Sequence, residues 1–196
     1  FQVRVDTDYA IRDVAKMADD AHRYGALFIP QIHHAGAQTC ILSTEGMPPV
    51  CVTDQDVPHV FIQTYRQVGP QKELTTEEVW GLVQKFINAA VNCQKAQADG
   101  VTLHASHGYL INQFLSPDLN ARTDEFGGSL ENRCRFAVEI IKGIRAACGP
   151  NFIIGARLTG MEWTPKGLSN EECAQIAQAL EAAGCDFLDI SAGSTD

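Results

Sequence analysis

Three observations predict an α/β fold of the (β/α)8 TIM-barrel type, of which this chain supplies four strands. Four successive segments read helix, glycine, strand. Polar side chains gather at the C-terminal ends of those strands. No strand is followed by a G-x-G-x-x-G or G-x-x-x-x-G-K-[ST] loop, which removes support for dinucleotide-binding and P-loop folds.

Composition sets the frame. The chain has 196 residues, 45% hydrophobic and 20% charged, the make-up of an ordinary globular domain. A net charge of −9 argues against a nucleic-acid surface, which needs clustered Lys and Arg. No apolar run approaches the roughly 20 residues of a membrane span. The opening FQVRVDTDY lacks the basic-then-apolar layout of a signal peptide. Seven cysteines, at positions 40, 51, 93, 134, 148, 173 and 185, include no C-x-x-C pair. That spacing suits neither a zinc site, an iron–sulfur cluster nor a secreted disulfide framework. It suits buried small hydrophobes in a reducing cytoplasm, the localisation expected here.

The first unit runs from Asp8 to Tyr24, where Ile11, Val14, Ala15 and Ala18 form the i, i+3, i+4, i+7 stripe of an amphipathic helix. Gly25 stops it, and ALFIPQI (Ala26–Ile32) reads as a buried strand. A proline-containing segment of about forty residues follows, from Ala35 to Thr75, the length of a lid, binding loop or insertion. Within it, the apolar stretch VPHVFIQ is a candidate short strand. The second unit opens on Thr75 and Glu78, the T-x-x-E of a capping box, and Val79, Leu82, Val83, Phe86, Ile87 and Ala90 make one helical face. Asp99-Gly100 ends that helix and VTLH follows as strand. The third unit starts at Ser129, carries Phe136, Ile140, Ile141 and Ile144, stops at Gly149-Pro150 and continues as NFIIGARL. In the fourth, Ser169 and Glu172 form a second capping box, Ala183-Gly184 ends the helix, and FLDIS is the strand.

Repeated helix–strand units with short returns imply parallel strands joined by right-handed crossovers, either doubly wound or barrel-forming. The strand ends favour the barrel. They carry Gln31 with His33 and His34, then His104, then Arg157, then Asp189 and Ser191. A barrel brings such ends to one face, where active sites are built from several strands. The alternative for any one of them is a loop cap or a buried ion pair, and it loses ground for the set. His104, His107 and Tyr109 cluster where the second unit's strand meets its loop, a placement suited to gripping and protonating a small molecule. Four parallel strands leave both sheet edges unpaired, so the chain reads as the middle of a barrel.

The block HASHGYLINQFLSPDLNARTDEFGGSLENRCRF resembles the signature of the old yellow enzyme family, the FMN-dependent NADH:flavin oxidoreductases and ene reductases, including its dienoyl-CoA reductase-like branch. QIHHAG is similar to that family's Q-L-x-H-A-G block, and GARLTG to its fifth-strand block. The three occur in family order. The resemblance implies that residues 1–196 form a single partial flavin-binding barrel domain covering roughly strands 3 to 6, without the first two and last two strands. It implies FMN as cofactor and NADH or NADPH as reductant.

Residue by residue, Gln31 would hydrogen-bond the pyrimidine edge of FMN, where an amide can donate and accept. Arg157 would lie by the flavin N1–C2 carbonyl and stabilise the negative charge of the reduced ring. His104 and His107 match the pair that grips the substrate's carbonyl or nitro oxygen and polarises the conjugated C=C bond. Tyr109 matches the proton donor, since a phenol holds its proton at neutral pH. The implied reaction passes hydride from flavin N5 to Cβ and a proton from Tyr109 to Cα of an α,β-unsaturated carbonyl compound. Asn112, Gln113, Asn120, Arg122, Asp124 and the Gly127-Gly128 turn read as pins of the connecting loop. Ala37 departs from the pattern, standing where the family commonly has Arg.

Three other readings stay open. One is a flavin-dependent C–N (amine or demethylating) dehydrogenase on the same barrel, for which an aromatic cage would suit the cation better than two histidines. A second is a metal site made of His33, His34, His104 and His107, with no carboxylate beside them. The third is a truncated, non-catalytic fragment. The expected partner is a small-molecule substrate, with no nucleic acid and no membrane. Open barrel edges leave a homo-oligomer or edge-to-edge pairing in play.

Overall fold

The computed structural model describes residues 4–39, 44, 46–54 and 71–192. A 3-10 turn at Asp8–Ala10 leads into α1 (Ile11–His22). The other elements are β1 (Gln31–Ile32), β2 (Val50–Cys51), β3 (Lys72–Glu73), α2 (Thr76–Lys95), β4 (Gly100–Ala105), α3 (Leu110–Leu115), α4 (Leu130–Cys148), β5 (Ile153–Thr159), α5 (Asn170–Ala183) and β6 (Phe187–Ser191).

Both anticipated capping boxes are present. Thr75 and Glu78 exchange hydrogen bonds at the start of α2, and Ser169 and Glu172 do so at the start of α5. Each satisfies backbone donors that a helix start otherwise leaves without partners. Ser129 caps α4 through the Asn132 amide. Gly149 and Gly184 end α4 and α5 with positive φ, as a residue without Cβ can.

The main sheet is wholly parallel, in the order β1-β4-β5-β6. Helices α2, α4 and α5 lie side by side, each packed on the next. A doubly wound sheet would split successive helices between two faces. One layer is the winding of a barrel wall.

Strand alternation sorts the side chains. Val101, Leu103 and Ala105 of β4, with Ile154, Ala156 and Leu158 of β5, are buried in one core with Phe86, Phe114, Phe136, Ile140, Ile144 and Ile176 of the helices. Phe114 and Phe136 stack with ring centroids 4.4 Å apart. The intervening residues line the other face: Gln31, Thr102 and His104, then Gly155 and Arg157, then Phe187 and Asp189. β4 and β5 approach so closely at Gly100 that a Cβ there would sit 2.2 Å from the carbonyl oxygen of Ile153.

Two expectations change in detail. The first strand is shorter than Ala26–Ile32, with a ladder confined to Gln31–Ile32. The segment before it still runs alongside β4, since Phe28 and Pro30 carbonyls accept from Asp99 and Thr102 amides. Pro30 has no N–H to return a bond. The long segment read as loop contains a small parallel pair, β2 with β3; the VPHVFIQ stretch lies outside the described residues. Buried Arg122 clips this pair to the barrel, donating to the carbonyls of Val52 (2.9 Å) and Leu74 (2.6 Å) while pairing with Asp124. No described helix is long and apolar enough to cross a membrane.

Candidate active site

The sheet register sets the site. His104 on β4 stands opposite Arg157 on β5, which stands opposite Asp189 on β6. Gln31 is paired with Thr102, two residues earlier on the same face, and is exposed. Gln31, His104, Arg157 and Asp189 therefore share one face near one end of the sheet, while His34 turns towards α2.

β4 ends at Ala105, and the chain turns sharply through two left-handed residues, His107 (φ 58°) and Gly108 (φ 73°). This turn, which period-2 alternation does not describe, brings the next rings back over the strand end. His104 lies edge-on to His107 (centroids 5.2 Å) and to Tyr109 (4.8 Å). His33 joins the same cluster, 5.0 Å from Tyr109 and 5.8 Å from His104.

Their electrostatics suit hydrogen-bond donation by neutral imidazoles. Burial pushes the His104 pKa down to about 4, and the nearby His107, His33 and Arg157 add to the shift while Asp189 opposes it. His107 is lowered by burial first and by Arg157 second. His104 Nδ1 is 3.4 Å from the Ser106 N–H. Accepting that bond places the ring proton on Nε2. Ser191 Oγ lies 2.6 Å from His107 Nε2; a hydroxyl donating there places the His107 proton on Nδ1. Each ring then has one N–H to offer.

Arg157 supplies a test of fit for a flavin. Its Nε is buried and makes no hydrogen bond. The Asp189 carboxylate is 3.6 Å away, within ion-pair range but beyond hydrogen-bond reach. A buried donor without an acceptor is costly, and an electron-rich ring carbonyl of FMN is the kind of acceptor it lacks. Gln31, exposed on the same face, offers an amide donor and acceptor.

The H-H-A-G block meets the signature block directly. Leu110 N–H donates to the His34 carbonyl (3.0 Å), and Ala37 N–H to Gln113 Oε1 (3.4 Å). Gly36 has φ 60°, and a Cβ on it would lie 2.8 Å from the Gln113 amide. His34 is partly buried, its pKa pushed down to about 4 by desolvation and then by His33, and its Nδ1 accepts from Gly36 N–H. Among the described residues, no group of three or more His, Cys, Asp or Glu side chains could hold a metal ion. Asn120 donates to the carbonyls of Phe114 and Phe126, so the expected loop pin is in place. Burial pushes the thiols of Cys51, Cys93, Cys134 and Cys173 up to about 11, which suits packing and not nucleophilic chemistry.

Sequence reasoning placed His33, Asp189 and Ser191 among the converging strand ends but gave none of them a role in the flavin chemistry. Asp189 and Ser191 alternate along one strand, the available signal; their partners Arg157 and His107 depend on inter-strand register. Glu162, only 6% exposed, carried no local signal at all.

A parallel barrel wall with such a strand-end cluster is the architecture in which barrel enzymes build their active sites. The chain belongs to the NADH:flavin oxidoreductase / NADH oxidase family, the old yellow enzymes, whose sequence model matches residues 2–195. It is 43% identical over 192 residues to an NADH oxidase of Thermoanaerobacter brockii, covering 98% of this chain and 28% of that protein. It is 32% identical over 204 residues to an N,N-dimethylglycine/sarcosine dehydrogenase of Chromohalobacter salexigens, covering 99% and 27%. Among solved structures, a 2-naphthoyl-CoA reductase complex superposes with a TM-score of 0.85 at 34% identity, covering 94% of this chain and 29% of that one. The old yellow enzyme homologue from Zymomonas mobilis gives 0.81 at 27% identity, covering 97% and 54%. The chain thus spans less than a third of the length of these two relatives. FMN and a nicotinamide nucleotide are the cofactors of this oxidoreductase family.

Proposed function

We propose that this chain carries the substrate-activating part of an FMN-dependent ene reductase, acting on α,β-unsaturated carbonyl or related compounds. The observation that carries the reading is the convergence of His104, His107 and Tyr109, ring against ring, beside Arg157. FMN, when bound, would supply the hydride chemistry, with NADH or NADPH as reductant.

The rest falls to this chain's own residues. Gln31 and Arg157 hold the cofactor, the first through its amide and the second by offering Nε and a fixed positive charge. His104 Nε2–H and His107 Nδ1–H donate to the carbonyl oxygen of the substrate. Negative charge develops on that oxygen as hydride reaches Cβ, so both bonds strengthen towards the transition state. Tyr109 gives its hydroxyl proton to Cα. One hydride and one proton add across one C=C bond, and the phenol is reprotonated from solvent.

The similarity to an N,N-dimethylglycine/sarcosine dehydrogenase favours a second reading, C–N bond oxidation. Against it, the cluster offers donor N–H groups where an amine cation would need aromatic faces or a carboxylate.

The test begins with an absorbance spectrum after adding FMN and removing the excess. A retained band near ~450 nm supports a formed flavin site. The loaded protein is then given NADH or NADPH with 2-cyclohexenone, or sarcosine with an artificial electron acceptor. Enone reduction that slows by roughly 10²–10⁴ in Tyr109→Phe is the expected result. Sarcosine oxidation without enone reduction would replace this reading with the second. Failure to retain FMN would leave a non-catalytic piece.

A further inference from the structure

We propose that Glu162 is a positioning residue for this reaction: acting through Asn112, it sets the turn that aims His107 and Tyr109. The functional half of this inference rests on the ene-reductase reading; the structural half does not.

The turn needs outside support. His107 is a non-glycine residue at φ 58°, a conformation that persists only where its surroundings over-determine it. Side chains of α3 and β5 grip its peptide groups. Gly108 N–H donates to Asn112 Oδ1 at 2.6 Å, and Gly108 C=O accepts from Gln113 Nε2 at 2.7 Å. His107 N–H donates to Thr159 Oγ1 at 3.3 Å, and that hydroxyl donates to the same Asn112 Oδ1 at 3.4 Å.

All of this requires the carbonyl end of the Asn112 amide to face the turn. The two ends of an amide have nearly the same shape, so orientation follows from where the NH2 group finds an acceptor. It finds one in Glu162 Oε1, at 3.0 Å. The other carboxylate oxygen is held by Ser116 Oγ at 2.6 Å and Leu168 N–H at 2.9 Å. Glu162 is thus buried among three neutral donors, two from α3 and its C-cap and one from the loop before α5. A buried carboxylate without a paired cation is costly to keep, and the chemistry above does not use it. Orienting Asn112 gives it a role.

The arrangement predicts a reciprocal rescue. Glu162→Gln leaves an NH2 group facing either Asn112 Nδ2 or the Leu168 N–H, donor against donor. Asn112→Asp sets two carboxylates face to face. The double variant exchanges acid and amide: the new amide donates to the new carboxylate, its oxygen still accepts from Ser116 and Leu168, and Gly108 keeps its acceptor.

The experiment compares the wild type, both single variants and the double variant as holoenzyme. One measurement is the reoxidation rate of the reduced flavin by 2-cyclohexenone, with dioxygen, which needs no aimed imidazole or phenol, as the control oxidant. The second is NMR of the Gly108 amide and the His107 and Tyr109 rings, which reads the turn whether or not an enone is reduced. The expected result is a loss of at least about tenfold in the enone rate for each single variant, an unchanged dioxygen rate, shifted resonances, and recovery of rate and resonances in the double variant. Should a single variant fail to fold, recovery in the double variant carries the same comparison. Wild-type enone rates in the single variants, or defects that simply add in the double variant, would overturn the proposal. Recovery of the resonances with no enone reduction by any form, wild type included, would keep the turn-setting role and overturn the ene-reductase reading instead.

Discussion

His107 Nε2 lies 2.6 Å from Ser191 Oγ, a bond between residues 84 positions apart that ties the turn after β4 to the last residue of β6. It holds the imidazole against rotation and places its free nitrogen. Ser191→Ala should therefore weaken substrate gripping while leaving the proton donor intact. A hydrogen bond of this kind contributes roughly 1 kcal/mol, about a fivefold effect. Steady-state kinetics on the flavin-loaded protein should show kcat/KM for an enone falling by about that factor, with part of the loss in kcat. An unchanged kcat/KM would mean that Ser191 does not position the gripping imidazole.

The register partner of Arg157 is Asp189 on β6. Because Asp189 is half exposed, its effect on the guanidinium is screened and modest. Asp189→Asn removes a negative charge beside Arg157, the group proposed to stabilise the reduced flavin. The midpoint potential of bound FMN should shift positive by roughly 10–20 mV. Spectroscopic redox titration of the two proteins checks the sign; a negative shift would show that Arg157 is turned away from the flavin when Asp189 is lost.

His34 and His104 both have folded-state pKa values of about 4, against the ordinary 6.5, with burial as the leading cause. Between those values the unfolded chain binds more protons than the folded one, so stability rises with pH. The contribution is complete above about 6.5 and drains away as pH falls towards about 4. Thermal midpoints measured from pH 7.5 downwards should hold steady and then decline through that window. Enone turnover should likewise show no His104 ionisation near pH 6.5, since burial holds that ring neutral until the pH nears about 4. A midpoint that is flat down to pH 4.5 would contradict the burial of these rings.

At Gly100 the added methyl of an alanine has no room, because a Cβ would lie 2.2 Å from the Ile153 carbonyl oxygen and 2.6 Å from its Cβ. The opposing atoms include backbone, so relief requires β4 and β5 to move apart. Gly100→Ala should lower stability by roughly 1–3 kcal/mol, read as a lower urea midpoint with an unchanged slope. An unchanged midpoint would show that the two strands are not in this register.

The sequence by itself determined the elements whose signals are local. The capping boxes at Thr75 and Ser169, the helix-ending Gly149 and Gly184, and the alternation in β4 and β5 each depend on residues within a few positions of one another. So did the three family blocks, and with them the flavin-enzyme reading. Other features followed only from the tertiary structure. Helix α3 escaped notice because all six of its residues are buried, which erases the amphipathic period that marks a helix. Strands β2 and β3 have two residues each and exist as strands only by pairing with one another. Arg122 reads as a pin of its own loop, and only the fold brings the Val52 and Leu74 carbonyls to its guanidinium. Ser191, Asp189 and Glu162 acquire roles only when strand register and loop closure deliver their partners. Hydrogen bonds between distant segments leave no periodicity in the chain, so the aim of His107 and Tyr109 is a property of the folded wall and not of the motif that contains them.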